Sequence, residues 1–174
     1  MRIPSTRPAL LIVALLLLAT APVRAAEEPS GCDKFKWDIA RERAALTAPD
    51  RILLASGEAV ANAPSTGLTL ALRSLAEAAL PTAPERAARD GSFAGYAKFV
   101  GLPKAGLYTI SLSAGGWVDV VQDGRLLKPK AFSGATDCDG IRKTMTYELS
   151  AAPFVLQVSG TAQTAISIAI LPAE

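Results

Sequence analysis

The chain has 174 residues and contains no histidine. The absence of histidine excludes several common classes of enzyme. Ser-His-Asp and Cys-His nucleophilic catalysis, iron sites built from two histidines and a carboxylate, and histidine-based zinc sites all need that side chain. The 18 Lys and Arg residues nearly balance the 16 Asp and Glu residues, so no strong charge favours nucleic acid as a partner.

The first 25 residues have the features of a secretory signal peptide. Two arginines precede an uncharged apolar run at 9–19, which is shorter than the roughly 20 apolar residues that span a bilayer. Small residues before position 26 form an A-x-A-like cleavage site ending at Ala25. We therefore predict cleavage after Ala25 and a periplasmic or secreted protein. An uncleaved N-terminal anchor is the alternative.

Residues 26–174 are predicted to form one domain without a transmembrane segment. Three of the 18 Lys and Arg residues and none of the 16 acidic residues lie in 1–25, which leaves 15 cations against 16 anions and a net charge of −1. The remaining 149 residues are enough for one sizeable hydrophobic core. Neither nucleic acid nor an anionic membrane is expected as a partner.

Five short runs in the C-terminal third alternate apolar residues with small or polar ones. In the first run, Tyr108, Ile110 and Leu112 share one face, opposite Thr109 and Ser111. Because successive side chains of a strand point to opposite faces, this pattern indicates one buried and one solvated face. We therefore predict a mainly β fold, an antiparallel β-sandwich or jelly roll. The five runs are 107–113, 117–127, 144–149, 154–159 and 164–171.

The run at 117–127 contains the strongest local signal, Asp123-Gly124 between two apolar segments. Asp and Gly tolerate the positive φ that a two-residue type I′ hairpin turn requires. This register places Asp119 opposite Lys128 as a cross-strand ion pair. Pro129 then ends the ladder and predicts an edge strand.

Residues 32–46 are the best candidate for a helix at the start of the domain. Phe35, Ile39 and Leu46 fall on one face, and Pro49 closes the segment. The predicted architecture is therefore a β-sandwich with one N-terminal helix.

Cys32 and Cys138 are the only cysteines of the chain. An exported protein with two cysteines is expected to pair them, so we predict a Cys32–Cys138 disulfide. Two alternatives remain. A free thiol would lack a histidine to lower its pKa. Lipidation of Cys32 would follow an imperfect lipobox at 29–32.

Four residues are candidates for ligand binding. Trp117, Asp119 and Lys128 form an aromatic platform with polar edges, as in sugar-binding modules; the alternative is a Trp partly packed on the sheet. Arg142, followed by Lys143, is suited to an anionic ligand; the alternative is a solvated turn.

Asp137 and Asp139 flank Cys138 and precede a glycine, which is reminiscent of a calcium loop. Ca²⁺ usually takes 6–8 oxygen ligands, and this neighbourhood supplies few others. A turn that holds the cysteine is the simpler interpretation. We therefore predict no metal and no cofactor.

Three segments of the chain resemble a set of small exported proteobacterial proteins without an established function: 32–37 (CDKFKW), 117–121 (WVDVV) and 138–143 (CDGIRK). Some members carry a homogentisate 1,2-dioxygenase label, and that activity needs an iron held by two histidines and a carboxylate. No position of this chain supplies those histidines. The alternating strand at 106–112 also resembles, more distantly, the bacterial pre-peptidase C-terminal β-sandwich. That resemblance implies an accessory domain of secreted enzymes.

Three functions are consistent with these features. The first is a non-catalytic periplasmic binding or accessory module, with a carbohydrate or another envelope protein as partner. The second is an enzyme, for example one that acts on a glycan, that uses only carboxylates or Arg and Lys side chains, with candidate residues Asp119, Asp137, Asp139 and Arg142. The third is a structural or interaction protein of the cell envelope. No residue is assigned a catalytic role.

Overall fold

The structure, a computed structural model, describes residues 28–61, 63 and 66–174. The predicted signal peptide, residues 1–25, lies outside the described residues. Within the described part of the chain, no helix is both long and apolar enough to cross a membrane.

The described residues form two β-sheets and one α-helix. The strands are β1 (Ile52–Leu54), β2 (Ala59–Val60), β3 (Leu68–Ala71), β4 (Arg73–Ser74), β5 (Phe93–Phe99), β6 (Gly106–Leu112), β7 (Trp117–Gln122), β8 (Arg125–Leu127), β9 (Ala131–Gly134), β10 (Lys143–Leu149), β11 (Phe154–Thr161) and β12 (Ala165–Pro172). The first sheet has the order β1-β3-β12-β6-β10-β9. The second has the order β2-β5-β11-β7-β8, with β4 also paired to β5. The predicted mainly β sandwich is confirmed.

Two pairings near the sheet edges, β1 with β3 and β2 with β5, are parallel, whereas the other strand pairs are antiparallel. The chain leaves the first sheet after β1, turns at Gly57 with φ of 98°, and joins the second sheet as β2. It then returns to the first sheet as β3. A crossover of this kind allows two strands of one sheet to pair in parallel, whereas a hairpin pairs them antiparallel.

The inner faces of the two sheets enclose the main core. Tyr108, Ile110 and Leu112 of β6 are buried there, as their alternation predicted. From the second sheet, the stacked rings of Phe99 and Phe154 lie with their centroids 4.7 Å apart. This core positions β7 and β11, whose outer faces carry the candidate site.

The hairpin between β7 and β8 has the predicted two-residue turn. Gln122 lies opposite Arg125 in the ladder, and Asp123 and Gly124 have φ of 53° and 70°. These positive values match a type I′ turn. β8 is the edge strand that Pro129 predicted.

Gly124→Val is expected to lower the free energy of unfolding by about 1 kcal/mol or more, because a β-branched residue resists the left-handed conformation. Nothing lies within 4 Å of a Cβ added at this position, so the effect is conformational rather than a clash. Urea unfolding of the native protein and of the variant measures this change in the free energy of unfolding. Gly115→Val, in an exposed loop where φ is not positive, is the control. Equal stability of the two variants would contradict the turn.

The predicted helix at 32–46 is wrong in its first half. The structure has a 3₁₀ turn at Cys32–Lys34 and an α-helix, α1, only at Ala40–Thr47. The earlier segment is held by a neighbouring loop and strand instead. The Gly31 N–H donates to the Thr136 carbonyl at 2.8 Å, and the Lys36 N–H donates to Ser133 Oγ at 2.9 Å. In an α-helix that began at Cys32, the Lys36 N–H would instead donate to the Cys32 carbonyl.

The outer face of the first sheet is also different from the prediction. Thr109 and Ser111 of β6 were expected to be solvated, but both are buried. The segment that contains α1 covers them, with an apolar cluster that includes Leu46 and Leu171. The Thr109 hydroxyl donates to the buried Glu42 carboxylate at 2.9 Å. The buried hydroxyls are therefore satisfied inside the protein.

The predicted disulfide is confirmed. Cys32 and Cys138 are bonded, and their Cα atoms lie 4.8 Å apart. The bond joins the N-terminal segment to the loop between β9 and β10, so it fixes the layer that covers the first sheet.

Candidate functional site

The candidate site lies on the outer face of the second sheet and begins with Trp117 at the start of β7. Its indole Nε1 donates a hydrogen bond to Asp119 Oδ1 at 2.8 Å. The two side chains share this face because they are two residues apart on one strand. Trp117 is half-buried, whereas Asp119 is only 3% exposed. The indole is therefore anchored by its polar edge.

Asp119 is the centre of a buried hydrogen-bond network. Its Oδ2 accepts from Gln157 Nε2 of β11 at 3.2 Å and from the Glu85 backbone N–H at 3.4 Å. The same Gln157 Nε2 donates to the Thr82 carbonyl at 2.9 Å. The loop at 82–86 is thereby bound over the sheet. Because its carboxylate is covered, Asp119 is placed to hold Trp117 and this loop rather than to touch a ligand.

The predicted Asp119–Lys128 ion pair is wrong. The Lys128 ammonium pairs with the Glu85 carboxylate, and β8 ends at Leu127, one residue before Lys128. The reason is the loop at 82–86. Its Glu85 carboxylate pairs with Lys128, and the backbone N–H of the same residue donates to the Asp119 carboxylate. Lys128 thus helps to hold the loop.

Two cations lie beside aromatic rings at this end of the sandwich. The Arg86 guanidinium is 5.8 Å from the centroid of the Trp117 ring. The Lys143 ammonium is 5.7 Å from the centroid of the Phe132 ring and donates to the Gly116 carbonyl at 2.5 Å. Gly116 precedes Trp117, so this hydrogen bond brings the start of β10 to the start of β7. Cation–π geometry of this kind is weakly attractive.

Lys143 is also perturbed electrostatically. Burial, followed by the positive charges of Arg142 and Arg86, lowers the pKa of its ammonium to about 8, while the carboxylate of Glu28 opposes this shift. The carboxylate of Glu28 forms an ion pair with Arg142. The structure therefore brings Arg142, a predicted candidate, into an electropositive cluster with Lys143 and Arg86.

The other candidate carboxylates lie in the disulfide loop. Asp137 Oδ2 accepts from the Ser30 hydroxyl at 2.6 Å, and the Asp139 carbonyl accepts from Arg43 Nε at 2.7 Å. Their contacts tie the N-terminal segment and α1 to this loop. Across residues 28–61, 63 and 66–174, no group of three Cys, Asp or Glu side chains is arranged to hold a metal ion.

Sequence reasoning missed Arg86, Phe132 and Gln157. Arg86 lies in an exposed loop, and nothing in the local sequence shows that this loop crosses the outer face of the second sheet. Gln157 lies between Leu156 and Val158 of β11, and a polar side chain within this apolar stretch was the only available signal.

No protein-family model matches this chain, and no curated protein matches it in sequence. The resemblances to small exported proteins and to the pre-peptidase C-terminal domain therefore stay predictions, and function has to be argued from the site.

Proposed function

We propose that the chain is a non-catalytic binding or accessory module of the periplasm or cell exterior, which holds a carbohydrate against Trp117. The observation that carries the proposal is the anchoring of this indole. A half-buried ring is held by a hydrogen bond to a buried carboxylate and flanked by Arg86. A large aromatic face beside polar groups suits the apolar faces and hydroxyl edges of a sugar ring.

The anchoring matters for affinity because a side chain that is already ordered loses little entropy on binding. The Asp119 carboxylate fixes the polar edge of the ring, and the loop at 82–86 places the Arg86 guanidinium over the ring. Trp117 is thereby presented as a rigid platform.

A binding role is favoured over glycan hydrolysis by the positions of the carboxylates. Glycosidases generally use two carboxyl groups that flank one bond, about 5–9.5 Å apart. Asp119 is covered and accepts three hydrogen bonds, while Asp137 and Asp139 belong to the disulfide loop. The disulfide itself supports an oxidising compartment, in agreement with the predicted signal peptide.

Trp117→Ala is expected to weaken carbohydrate binding by about tenfold or more, because a central aromatic platform usually dominates binding energy. Affinity electrophoresis against a panel of neutral and acidic polysaccharides identifies the ligand, and calorimetry compares the variants. Trp37→Phe is the matched control, since Trp37 packs in the separate cluster that covers the first sheet. Unchanged affinity of the Trp117 variant, or no polysaccharide bound by the native protein, would reject the proposal.

A further inference from the structure

We infer that the ligand of the Trp117 face is an acidic saccharide, whose carboxylate or sulfate group is bound between Arg86 and Lys143. This inference rests on the proposed function and adds the chemical class of the ligand. The acidic class is inferred from the positive charges around the indole, because a neutral sugar would not need cations to bind.

Three cations from separate parts of the chain surround the start of β7. Arg86 comes from the loop before β5, and Arg142 and Lys143 from the start of β10. Only Arg142 is neutralised within the described residues, through its ion pair with Glu28; neither Arg86 nor Lys143 has a carboxylate within 4.0 Å. The nearby Glu85 is occupied by Lys128. Arg86 and Lys143 are thus two cations of this cluster without a direct ion-pair partner among the described residues.

Hydrogen-bond donors remain in this cluster for an oxyanion. An ammonium has three donors, and Lys143 uses one of them on the Gly116 carbonyl. Arg86 makes no side-chain hydrogen bond to a described residue, so its planar guanidinium is available for a bidentate contact.

Repulsion among the positive charges of Lys143, Arg142 and Arg86 gives a physical reason for an anion to bind beside Lys143. Lys143 is partly buried next to two guanidinium groups, and that surrounding lowers its pKa to about 8. An oxyanion would stabilise the charged ammonium and relieve the repulsion. The indole beside Arg86 and the Phe132 ring beside Lys143 supply apolar surface for the rest of the sugar.

The test uses the native protein with polygalacturonate and a sulfated glycan as acidic probes, dextran as the neutral probe and inorganic phosphate as a free oxyanion. Calorimetry should show binding of the acidic probes only, weakening as salt is raised. Arg86→Gln and Lys143→Gln should each lower the affinity about tenfold or more. Arg89→Gln, an exposed residue of the same loop, should leave it unchanged.

The pH profile supplies a second readout. Because Lys143 becomes neutral as the pH rises through about 8, affinity should fall between pH 7 and pH 9. The fall should therefore disappear in Lys143→Gln, provided that circular dichroism shows the variant is folded. If that variant does not fold, Arg86→Gln alone decides, since Arg86 is exposed.

The outcomes separate this inference from the proposed function. Binding of dextran that depends on Trp117 but not on Arg86 would overturn the acidic class and leave the binding module intact. Binding of inorganic phosphate as tight as that of the acidic glycans would overturn the saccharide part. No binding of any polysaccharide would reject both.

Discussion

Replacing Cys32 and Cys138 with alanine should lower the free energy of unfolding by about 4–5 kcal/mol, the largest effect expected for this protein. The disulfide closes a loop with a sequence separation of 106, and its removal returns that loop's closure entropy to the unfolded chain. Urea unfolding of the native protein and of the double variant measures the difference. Reducing agent should reproduce the loss in the native protein and have no effect on the double variant.

The same variant should loosen the N-terminal layer before the sandwich unfolds. Cys32, Cys138 and Trp37 all pack in the apolar cluster that covers the first sheet, and the disulfide links the segment before α1 covalently to the loop between β9 and β10. Emission of Trp37, recorded in a Trp117→Phe background, should therefore shift at lower urea than the circular dichroism of the strands. Coincident transitions, or an unchanged midpoint in the double variant, would show that the bond contributes little.

Asp119→Asn is expected to lower the free energy of unfolding by about 2–4 kcal/mol, because one acceptor oxygen is replaced by an N–H₂ group that faces buried donors. Asp119 accepts from Trp117, Gln157 and Glu85, and an asparagine cannot accept all three. Thermal and urea unfolding measure the loss. Asp123→Asn is a matched control, since Asp123 is exposed in the hairpin turn and asparagine also tolerates its positive φ.

The Asp119 variant should also lose carbohydrate affinity without losing any residue that touches the ligand. Trp117 is held by its Nε1 hydrogen bond, so a disturbed acceptor should increase the mobility of the indole. In a Trp37→Phe background, the fluorescence anisotropy of Trp117 should fall. Native stability together with native anisotropy would contradict the anchoring role of Asp119.

The strands and the hairpin are predictable because their causes are local. The alternation of Tyr108, Ile110 and Leu112 marks the core face of β6 within a few residues. The turn at Asp123 and Gly124 follows from the positive φ that these residues tolerate. The disulfide is predictable for another reason, since a chain with two cysteines has only one possible intramolecular pairing.

The sequence could not show what covers each sheet. The alternation of apolar and polar residues around Thr109 is the same whether the polar face of β6 contacts water or a second layer of protein. Only the tertiary structure places Glu42 of α1 against the Thr109 hydroxyl. The late start of α1 has a related cause, because the segment from Gly31 to Lys36 bonds to chain about 100 residues away.

The candidate site divides in the same way. Trp117 and Arg142 can be named from the sequence, because an aromatic on a strand and paired cations in a turn are visible locally. The position of Arg86 beside the indole depends on the path of a loop that Gln157 and Asp119 bind across the sheet. Local periodicity thus determines which face of each strand is buried, whereas the meeting of distant polar groups depends on how the whole chain packs.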